Sequence, residues 1–321
     1  MQVTVLAGGF GGARFLTGLR SQLDSGITAV VNTADDIVLH GLNISPDLDT
    51  VMYTLGGGLD DERGWGRRDE AFRANEELQA YGIANTWFGL GDRDLATHLV
   101  RTQMLLAGYR LTDVTTALCV RWQPGVHILP MTDDRVETHV VVSDSEGRRA
   151  LHFQEWWIRH RAELPAEEFV QIGADEASAS PEVLAALKES DVVLLAPSNP
   201  VVSIGAIMSV SSIREAVRAT EAPVIGVSPI IGGRAVRGMA EQCLAAIGVP
   251  PTATAVAQHY GARSSGGLLD GWLVAPEDAA AVPQLTDAGI MTRAVPLVMN
   301  DPDRAAALAA DALDLAAAVR A

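Results

Sequence analysis

Aspartates that follow the second apolar run of the chain are the residues best suited to chemistry. Asp35 and Asp36 come directly after the run 27–31, and Asp47 and Asp49 follow a short intervening stretch. Grouped carboxylates suit a magnesium ion that keeps several waters and takes other oxygens from substrate phosphates. The pattern therefore predicts a Mg²⁺ site built on Asp47 and Asp49, with Asp35 or Asp36 nearby.

The same aspartates also have structural interpretations. Ser45 and Pro46 predict a helix start, as N-cap and first helical residue. Asp47, in the first turn, would then be favoured by the helix dipole alone. Asp49 lies two residues further on, and the two carboxylates share one side only if the segment is not a regular helix. The two aspartates of the preceding loop would equally serve as helix caps.

A glycine-rich turn near the N-terminus predicts a phosphate-binding loop. It follows the apolar run 3–7 and precedes a segment with helical spacing. Free backbone N–H groups at such a helix start bind anions, and Arg14 adds a charged fork for a phosphate oxygen. Arg14 stands where a dinucleotide fingerprint needs glycine or alanine and where a P-loop needs lysine, so neither common motif is matched. A turn needed only for strand–helix packing is the alternative. The glycines are Gly8, Gly9, Gly11 and Gly12.

The composition excludes several classes of protein. With 321 residues and 48% apolar content, the chain can bury a large core, and a net charge of −16 argues against a nucleic-acid partner. The two cysteines, Cys119 and Cys243, form no CxxC pair and are interpreted as buried apolar residues. No charged segment precedes an apolar N-terminal stretch, and no apolar run approaches about twenty residues. We expect a soluble cytoplasmic protein.

Apolar runs alternate with helical segments and predict an α/β fold, with a Rossmann-like, largely parallel sheet flanked by helices. We expect one large domain, 1–321. Within it, 112–165 is predicted to be an antiparallel insertion or cap, because alternating runs at 136–142 and 150–153 flank a turn signal at 144–147. Further expected elements are buried strands at 191–195 and 224–227, late strands at 273–274 and 294–298, and a closing helix at 302–319.

Other polar segments could contribute to a site. Ser198 and Asn199 follow the strand 191–195, at the sheet edge where parallel strands place ligands. The glycine-rich segment 56–66 could form a lid or a surface loop. Asp92 is expected to cap a helix on which Arg93, Thr97 and Arg101 recur at every fourth position beside Asp94 and His98. A salt-bridged surface helix is the alternative for that stripe.

Taken together, the sequence resembles the family of 2-phospho-L-lactate transferases (CofD) and their actinobacterial relatives (FbiA), over essentially the whole chain. Several long motifs in one order carry the resemblance, which makes it more specific than any single glycine loop. Ala13-Arg14 resembles the actinobacterial branch, whereas archaeal members tend to have Pro-Lys there. The motifs are 6–14 (LAGGFGGAR), 45–50 (SPDLDT), 90–98 (LGDRDLATH), 129–134 (LPMTDD), 152–154 (HFQ), 197–200 (PSNP) and 228–232 (SPIIG).

The resemblance implies a magnesium-dependent step in making the deazaflavin coenzyme F-420, by an enzyme that tends to form homodimers. A guanosine-diphosphate-linked three-carbon acid would donate its phosphoryl-acid unit to the ribityl hydroxyl of the deazaflavin Fo, and GMP would leave. In the actinobacterial branch the donor is the enolpyruvyl form and the product dehydro-F-420-0; in the archaeal branch the donor is the phospholactyl form. The choice between them rests on branch resemblance alone.

The resemblance and the residue patterns together give each candidate residue a role. Asp47 and Asp49, with Asp36, would hold the magnesium ion, and Asp47 and Asp49 are the predicted catalytic residues. Asp49 is the predicted acceptor of the hydroxyl's proton. The GMP portion would lie on Gly8, Gly9, Gly11, Gly12, Arg14, Ser198 and Asn199. The deazaflavin would lie near Asp49, Asp92, Arg93, Thr97 and His98, against Trp65 or Trp87.

Two other functions remain open from the sequence. A non-catalytic nucleotide-binding regulator would keep the glycine loop without needing the carboxylates. An NAD-dependent oxidoreductase is suggested by the first strand–helix unit, although Arg14 in place of the third glycine argues against it.

Overall fold

The computed structural model describes residues 1–145 and 147–321; Glu146, in the predicted hairpin turn, lies outside them. Strands of the described chain are β1 (Val3–Ala7), β2 (Ile27–Val31), β3 (Ile37–Leu39), β4 (Leu42–Ile44), β5 (His127–Pro130), β6 (Glu137–Asp144), β7 (Gly147–His152), β8 (Ala166–Ile172), β9 (Val192–Leu195), β10 (Val224–Val227), β11 (Ile230–Ile231), β12 (Arg234–Ala235), β13 (Gly271–Val274) and β14 (Met291–Ala294). Its α-helices are α1 (Gly9–Gln22), α2 (Pro46–Leu55), α3 (Arg73–Ala80), α4 (Asp94–Leu106), α5 (Leu111–Trp122), α6 (Pro181–Glu189), α7 (Ile204–Ser209), α8 (Ser211–Ala219), α9 (Ala240–Ala246), α10 (Ala253–Tyr260), α11 (Ala281–Asp287) and α12 (Pro302–Arg320).

A seven-stranded sheet forms the centre of the molecule, in the order β14-β13-β10-β9-β1-β2-β5. All of its neighbouring strands run parallel. The chain begins at β1, moves outward through β2 to β5, and returns to β9 on the other side of β1. Because the strand order reverses between β1 and β9, this is the point at which such sheets bind ligands, outside the carboxyl ends of the strands. The predicted Rossmann-like α/β fold is confirmed.

Both faces of the sheet are covered by helices, which is why its strands read as continuous apolar runs. On one face, Val5 and Leu194 pack with residues of α1, α2 and α12. On the other, Leu6 and Leu195 pack with residues of α6 to α11. The two loops that leave β1 and β9 are therefore held by a core on each side.

The antiparallel part is a three-stranded sheet in the order β7-β6-β8, spanning 137–172 rather than 112–165. The predicted boundaries were wrong at both ends. Residues 111–122 form a helix, and β5 pairs with β2 at the edge of the central sheet. At the other end, β8 continues the insertion, and its sequence AEEFVQI, which does not alternate strictly and buries only Phe169, gives a weak strand signal.

Most predicted strands and the closing helix lie where expected, with one displaced late strand. The apolar run 294–298 predicted a strand there, but β14 precedes it and 295–298 is irregular. Val295 and Leu297 are buried against the core, so their apolar character reflects packing rather than strand pairing. Among the described residues, no helix combines the length and the apolar character that a membrane crossing needs.

Candidate functional site

The loops after β1 and β9 are joined directly at the switch point. The backbone N–H of Gly8 donates to Ser198 Oγ at 3.0 Å, and that hydroxyl donates to the Gly8 carbonyl at 2.8 Å. Asn199 Oδ1 accepts from the N–H groups of Val201 and Val202 at 2.9 and 3.2 Å. Both predicted nucleotide-binding side chains therefore shape the loop in this structure, and their contact with a nucleotide stays a prediction.

Close packing explains part of the glycine pattern. A Cβ atom on Gly11 would lie 2.8 Å from the Pro197 carbonyl oxygen, and one on Gly12 would lie 2.8 Å from Ser198 Oγ. The loop after β9 approaches these two glycines too closely for a side chain, so the alternative interpretation, a turn needed for packing, explains them. Gly9, by contrast, has a φ of +59°, a conformation that favours glycine whatever surrounds it.

Gly8 brings the loop against the acidic residues. It occupies the N-cap of α1 with no side chain to cap the helix, and the Gly9 N–H of the first turn bonds to Asp47, so the capacity for an anion rests with the N–H groups that follow. A Cβ atom at Gly8 would lie 2.6 Å from Asp47 Oδ2 and 2.7 Å from Ser203 Oγ. The glycine loop and Asp47 therefore lie in contact, and their joint binding of a nucleotide and a metal stays a prediction.

Asp47 is the acidic residue closest to the glycine loop. Its Oδ2 accepts from Asn32 Nδ2 at 3.0 Å, and Asn32 is fixed by accepting from the Ala34 N–H at 3.0 Å. Burial raises the pKa of Asp47 to about 6, against the opposing effect of its bonds from Asn32 and the Gly9 backbone. Asn32, which directly follows β2, is thus a site residue that sequence reasoning did not single out.

Asp35 is buried and Asp36 is half-buried, and within the described residues neither carboxylate forms an ion pair, although the nearby charge of Arg101 lowers the pKa of Asp36. One oxygen of each, Oδ1, is shielded from solvent and has no hydrogen-bond partner in the described part of the chain. Burial first, then repulsion from neighbouring aspartates, raises the pKa of both well above the usual value. Ser45 Oγ donates to Asp36 Oδ2 at 2.6 Å instead of capping α2, so the predicted capping bond of Ser45 is wrong while Pro46 begins the helix as predicted.

These buried carboxylates fit a divalent cation. Unpaired buried charge is costly, and a bound cation would offset it while using the free oxygens. Within the described ranges, no three histidine, cysteine or acidic side chains already converge as a metal cage. Magnesium needs fewer protein ligands than such a cage, since one or two carboxylates plus substrate phosphates usually hold it. A cleft of about 200 Å³ reaches Asp36 and Ser45 from the solvent side.

Asp49 points to a different set of partners. Because α2 is a regular helix, the carboxylates of Asp47 and Asp49 leave it in different directions. Arg101 pairs with both oxygens of Asp49: Nη1 donates to Oδ2 at 3.1 Å, and Nη2 donates to Oδ1. Both side chains are buried, with 2% of Arg101 and 7% of Asp49 exposed. The metal and catalytic roles of Asp49 stay predictions, now with Arg101 as a fixed partner.

The polar stripe of α4 is interior rather than a surface salt-bridge pattern. Thr97, His98 and Arg101 are buried against α2. Tyr53 Oη donates to Asp94 Oδ1 at 2.5 Å and lies 2.8 Å from Thr97 Oγ1. Burial raises the pKa of Asp94 to about 7 and lowers that of His98 to about 4, so the imidazole is neutral near pH 7. Tyr53, four residues after Asp49, completes this buried network.

The other predicted deazaflavin residues lie at the start of α4, outside that network. Asp92 does not cap α4; its Oδ1 accepts from the Ala74 N–H at 3.0 Å and holds the start of α3. Arg93 is half exposed and donates to the Arg68 carbonyl at 3.1 Å. Trp65 is 45% exposed and packs on Phe72.

Arg14 faces the segment 56–66. Its guanidinium lies 4.7 Å from the centre of the Phe10 ring and 3.6 Å from Asp61 Oδ1. Arg237 lies 4.5 Å from the same ring and donates to the Arg63 carbonyl at 2.7 Å. The segment is thus tied by two arginines to the first turn of α1, beside the predicted phosphate loop.

Comparison with known proteins identifies the same family that the sequence motifs resemble. The family model described as "2-phospho-L-lactate transferase CofD" matches residues 3–309. A phosphoenolpyruvate transferase of Thermobifida fusca is 60% identical, with 98% of each chain covered. One of Streptomyces coelicolor is 59% identical, covering 100% of this chain and 99% of the relative. A solved structure of a UPF0052 family protein from Bacillus halodurans shares the fold, with a TM-score of 0.63, 16% identity and coverage of 97% and 98%.

Proposed function

The chain belongs to the 2-phospho-L-lactate transferase CofD family, and from that premise we propose that it transfers an enolpyruvyl-phosphate unit to the deazaflavin Fo. The donor is the guanosine-diphosphate-linked enolpyruvyl acid, the acceptor is the ribityl hydroxyl, and the products are GMP and dehydro-F-420-0. Relatives named phosphoenolpyruvate transferase, at 60% and 59% identity, support this donor over the phospholactyl form.

One observation carries the proposal most directly: the buried carboxylate of Asp47, which has no ion-pair partner among the described residues, lies against a glycine loop at the switch point of the sheet. Asp47 Oδ2 is close enough to Gly8 that no side chain fits between them. A diphosphate on the loop would place its negative charge beside carboxylates, which is favourable only with a cation between them. Asp36 and Asp47 would hold Mg²⁺, which supplies charge neutralisation on the transferred and leaving phosphates when bound.

The reaction breaks one P–O bond and forms another. The ribityl hydroxyl oxygen attacks the phosphorus that carries the three-carbon acid, the bond from that phosphorus to the GMP oxygen breaks, and GMP leaves with the electron pair. The hydroxyl proton passes to Asp49, our proposed acceptor. Transfers of this kind depend mostly on positioning and electrostatic stabilisation.

The chain's own residues would provide that positioning. Backbone N–H groups at the start of α1 and the guanidinium of Arg14 bind phosphate oxygens. Arg101 fixes the Asp49 carboxylate by its two bonds, and each carboxylate oxygen keeps a second lone pair that can accept from the hydroxyl. The deazaflavin ring is proposed to lie near Asp92 and Arg93.

The experiment is an assay of the purified chain with Fo, Mg²⁺ and each donor separately, read by product mass and GMP release. We expect dehydro-F-420-0 from the enolpyruvyl donor, and no product after chelation of the metal. If only the phospholactyl donor is turned over, that compound is the donor and the proposed enolpyruvyl donor is wrong. GMP binding with neither product would instead identify a nucleotide-binding regulator.

A further inference from the structure

A second cavity lies away from the acidic site, between α7, α8 and α10. Its volume is about 310 Å³, which is within the range of small-molecule pockets. None of its lining residues belongs to the glycine loop, to the segment 197–203 or to the acidic residues described above. The cavity is therefore separate from the proposed nucleotide site.

Two arginines of one helix face give this cavity its charge. Arg214 and Arg218 are four residues apart on α8, so their side chains leave the same face about one turn apart. In a chain with 40 acidic and 24 basic residues, two neighbouring arginines would be expected to form ion pairs with carboxylates. Yet no acidic residue lines the cavity, and across residues 1–145 and 147–321 neither guanidinium has a carboxylate partner.

The guanidinium donors are only partly used. Arg214 Nη1 donates to the Met208 carbonyl at 2.8 Å, which anchors that side chain at the cavity and leaves its other N–H groups free. Arg218 is exposed at the rim. Guanidinium forks match the oxygens of phosphate, and two forks can flank one phosphate group.

The remaining walls suit the body of an organic molecule. Met208, Tyr260 and Leu268 are buried and form an apolar floor below the arginines. His259 lies beside Tyr260 at the surface, with ring centres 5.8 Å apart, and partial burial of the imidazole lowers its pKa, which favours a neutral ring at pH 7. A charged head at the rim and an apolar floor are the usual features of a pocket that orients one small ligand.

We propose that the cavity between α7, α8 and α10 is a second ligand site, which binds a small organic phosphate monoester through Arg214 and Arg218. The phosphate lies between the two guanidinium groups, and the organic part lies on Met208, Tyr260 and Leu268. This site does not depend on the proposed transferase reaction.

The test uses phenyl phosphate, a phosphate monoester with an apolar body, titrated into the full-length chain by calorimetry at constant ionic strength and pH 7.5. Arg218→Gln is the main variant because Arg218 is exposed and has no hydrogen bond or ion pair among the described residues, so the fold should tolerate its loss. We expect this variant and Arg214→Gln each to weaken binding at least about 10-fold, the loss of a charge-assisted pair.

Two matched variants separate this site from others. Arg14→Gln removes a cation of the proposed nucleotide site, and Arg304→Gln removes an exposed cation of α12; neither should change binding at this cavity. Loss of binding in Arg14→Gln alone would place phenyl phosphate at the nucleotide site and overturn the proposal. Unchanged affinity in Arg218→Gln, or no binding up to about 10 mM, would overturn it equally.

Discussion

The guanidinium of Arg101 holds the carboxylate of Asp49 by both oxygens, in a place where both side chains are almost fully buried. The pair joins α4 to the first turn of α2, next to the carboxylates that face the glycine loop. A buried ion pair of this kind fixes an orientation more than it adds stability, because desolvation of both charges opposes their attraction. Its function in this chain is therefore to set the direction in which Asp49 presents its remaining lone pairs.

Removing the guanidinium should cost far more than removing an exposed arginine. Arg101→Met leaves Asp49 buried and unpaired, and we expect a loss of about 3–5 kcal/mol in the free energy of unfolding. Arg73→Met, at an exposed position of α3, is the control and should stay within about 0.5 kcal/mol of wild type. Urea denaturation measures both, and equal small effects would show that the pair is not buried in solution.

Asp49→Asn should abolish turnover while GMP binding stays within severalfold of wild type. The substitution keeps the size of the side chain but removes the charge that Arg101 orients and the proposed proton acceptor. Single-turnover assays and GMP titration measure the two effects separately. An active Asp49→Asn enzyme would exclude Asp49 as the acceptor.

Asp47→Asn should separate stability from activity. Burial raises the pKa of Asp47 and the neighbouring Asp35 and Asp36 repel it, so neutralising it should leave the metal-free protein as stable as wild type or more so. Loss of a metal ligand should nevertheless lower kcat/KM by at least about 100-fold. Thermal unfolding with and without Mg²⁺, alongside the assay, measures both; retained activity with the normal magnesium requirement would count against the site.

Gly8→Ala and Gly12→Ala should differ in their effect on the magnesium concentration that the enzyme needs for turnover. Both substitutions place a Cβ atom within 3 Å of neighbouring atoms, at 2.6 Å for Gly8 and 2.8 Å for Gly12, and both should destabilise the fold by about 1–3 kcal/mol. Only the Cβ atom at Gly8 meets Asp47, so only Gly8→Ala should raise the magnesium concentration needed for half-maximal turnover. Equal magnesium requirements in the two variants would mean that Asp47 does not hold the ion.

Asp94 gives a prediction for the pH dependence of stability. Burial raises its folded pKa to about 7 from the usual 3.8 of an aspartate, so the folded state binds an extra proton between these values. The stabilisation from that proton is complete at low pH and is lost as the pH rises through about 7. Asp94→Asn removes the titration, so the urea midpoint of the variant relative to wild type should rise between pH 5 and pH 8. A constant difference would show that Asp94 is ionised throughout.

The sequence was enough to predict the parallel sheet and the acidic residues at its edge, because both follow from local patterns. Continuous apolar runs at 3–7 and 27–31 indicate strands buried on both faces, and the residues after them must lie at the carboxyl edge. Whether Asp47 and Asp49 point to one side depends on whether their segment forms a regular helix. The sequence left that open, so their separation could be stated only as conditional on the helix.

Partners distant in the sequence were harder to find. Arg101 was visible within the polar stripe of α4, but its pairing with Asp49, 52 residues earlier, depends on how α4 packs on α2. Tyr53 had a weak signal, as the residue one turn after Asp49. The hydrogen bond from Ser45 to Asp36 had no signal in the sequence, because a serine before Pro46 is the usual helix-capping pattern.

The most direct test of the proposed magnesium site is a crystal structure of the chain with GMP and Mn²⁺ in place of Mg²⁺, in which anomalous scattering locates the ion. We expect one peak at coordination distance from oxygens of Asp47 or Asp36, about 2.1 Å for magnesium, and in contact with the GMP phosphate. A GMP phosphate bound at the glycine loop with the ion absent from these carboxylates would contradict the metal-centred mechanism.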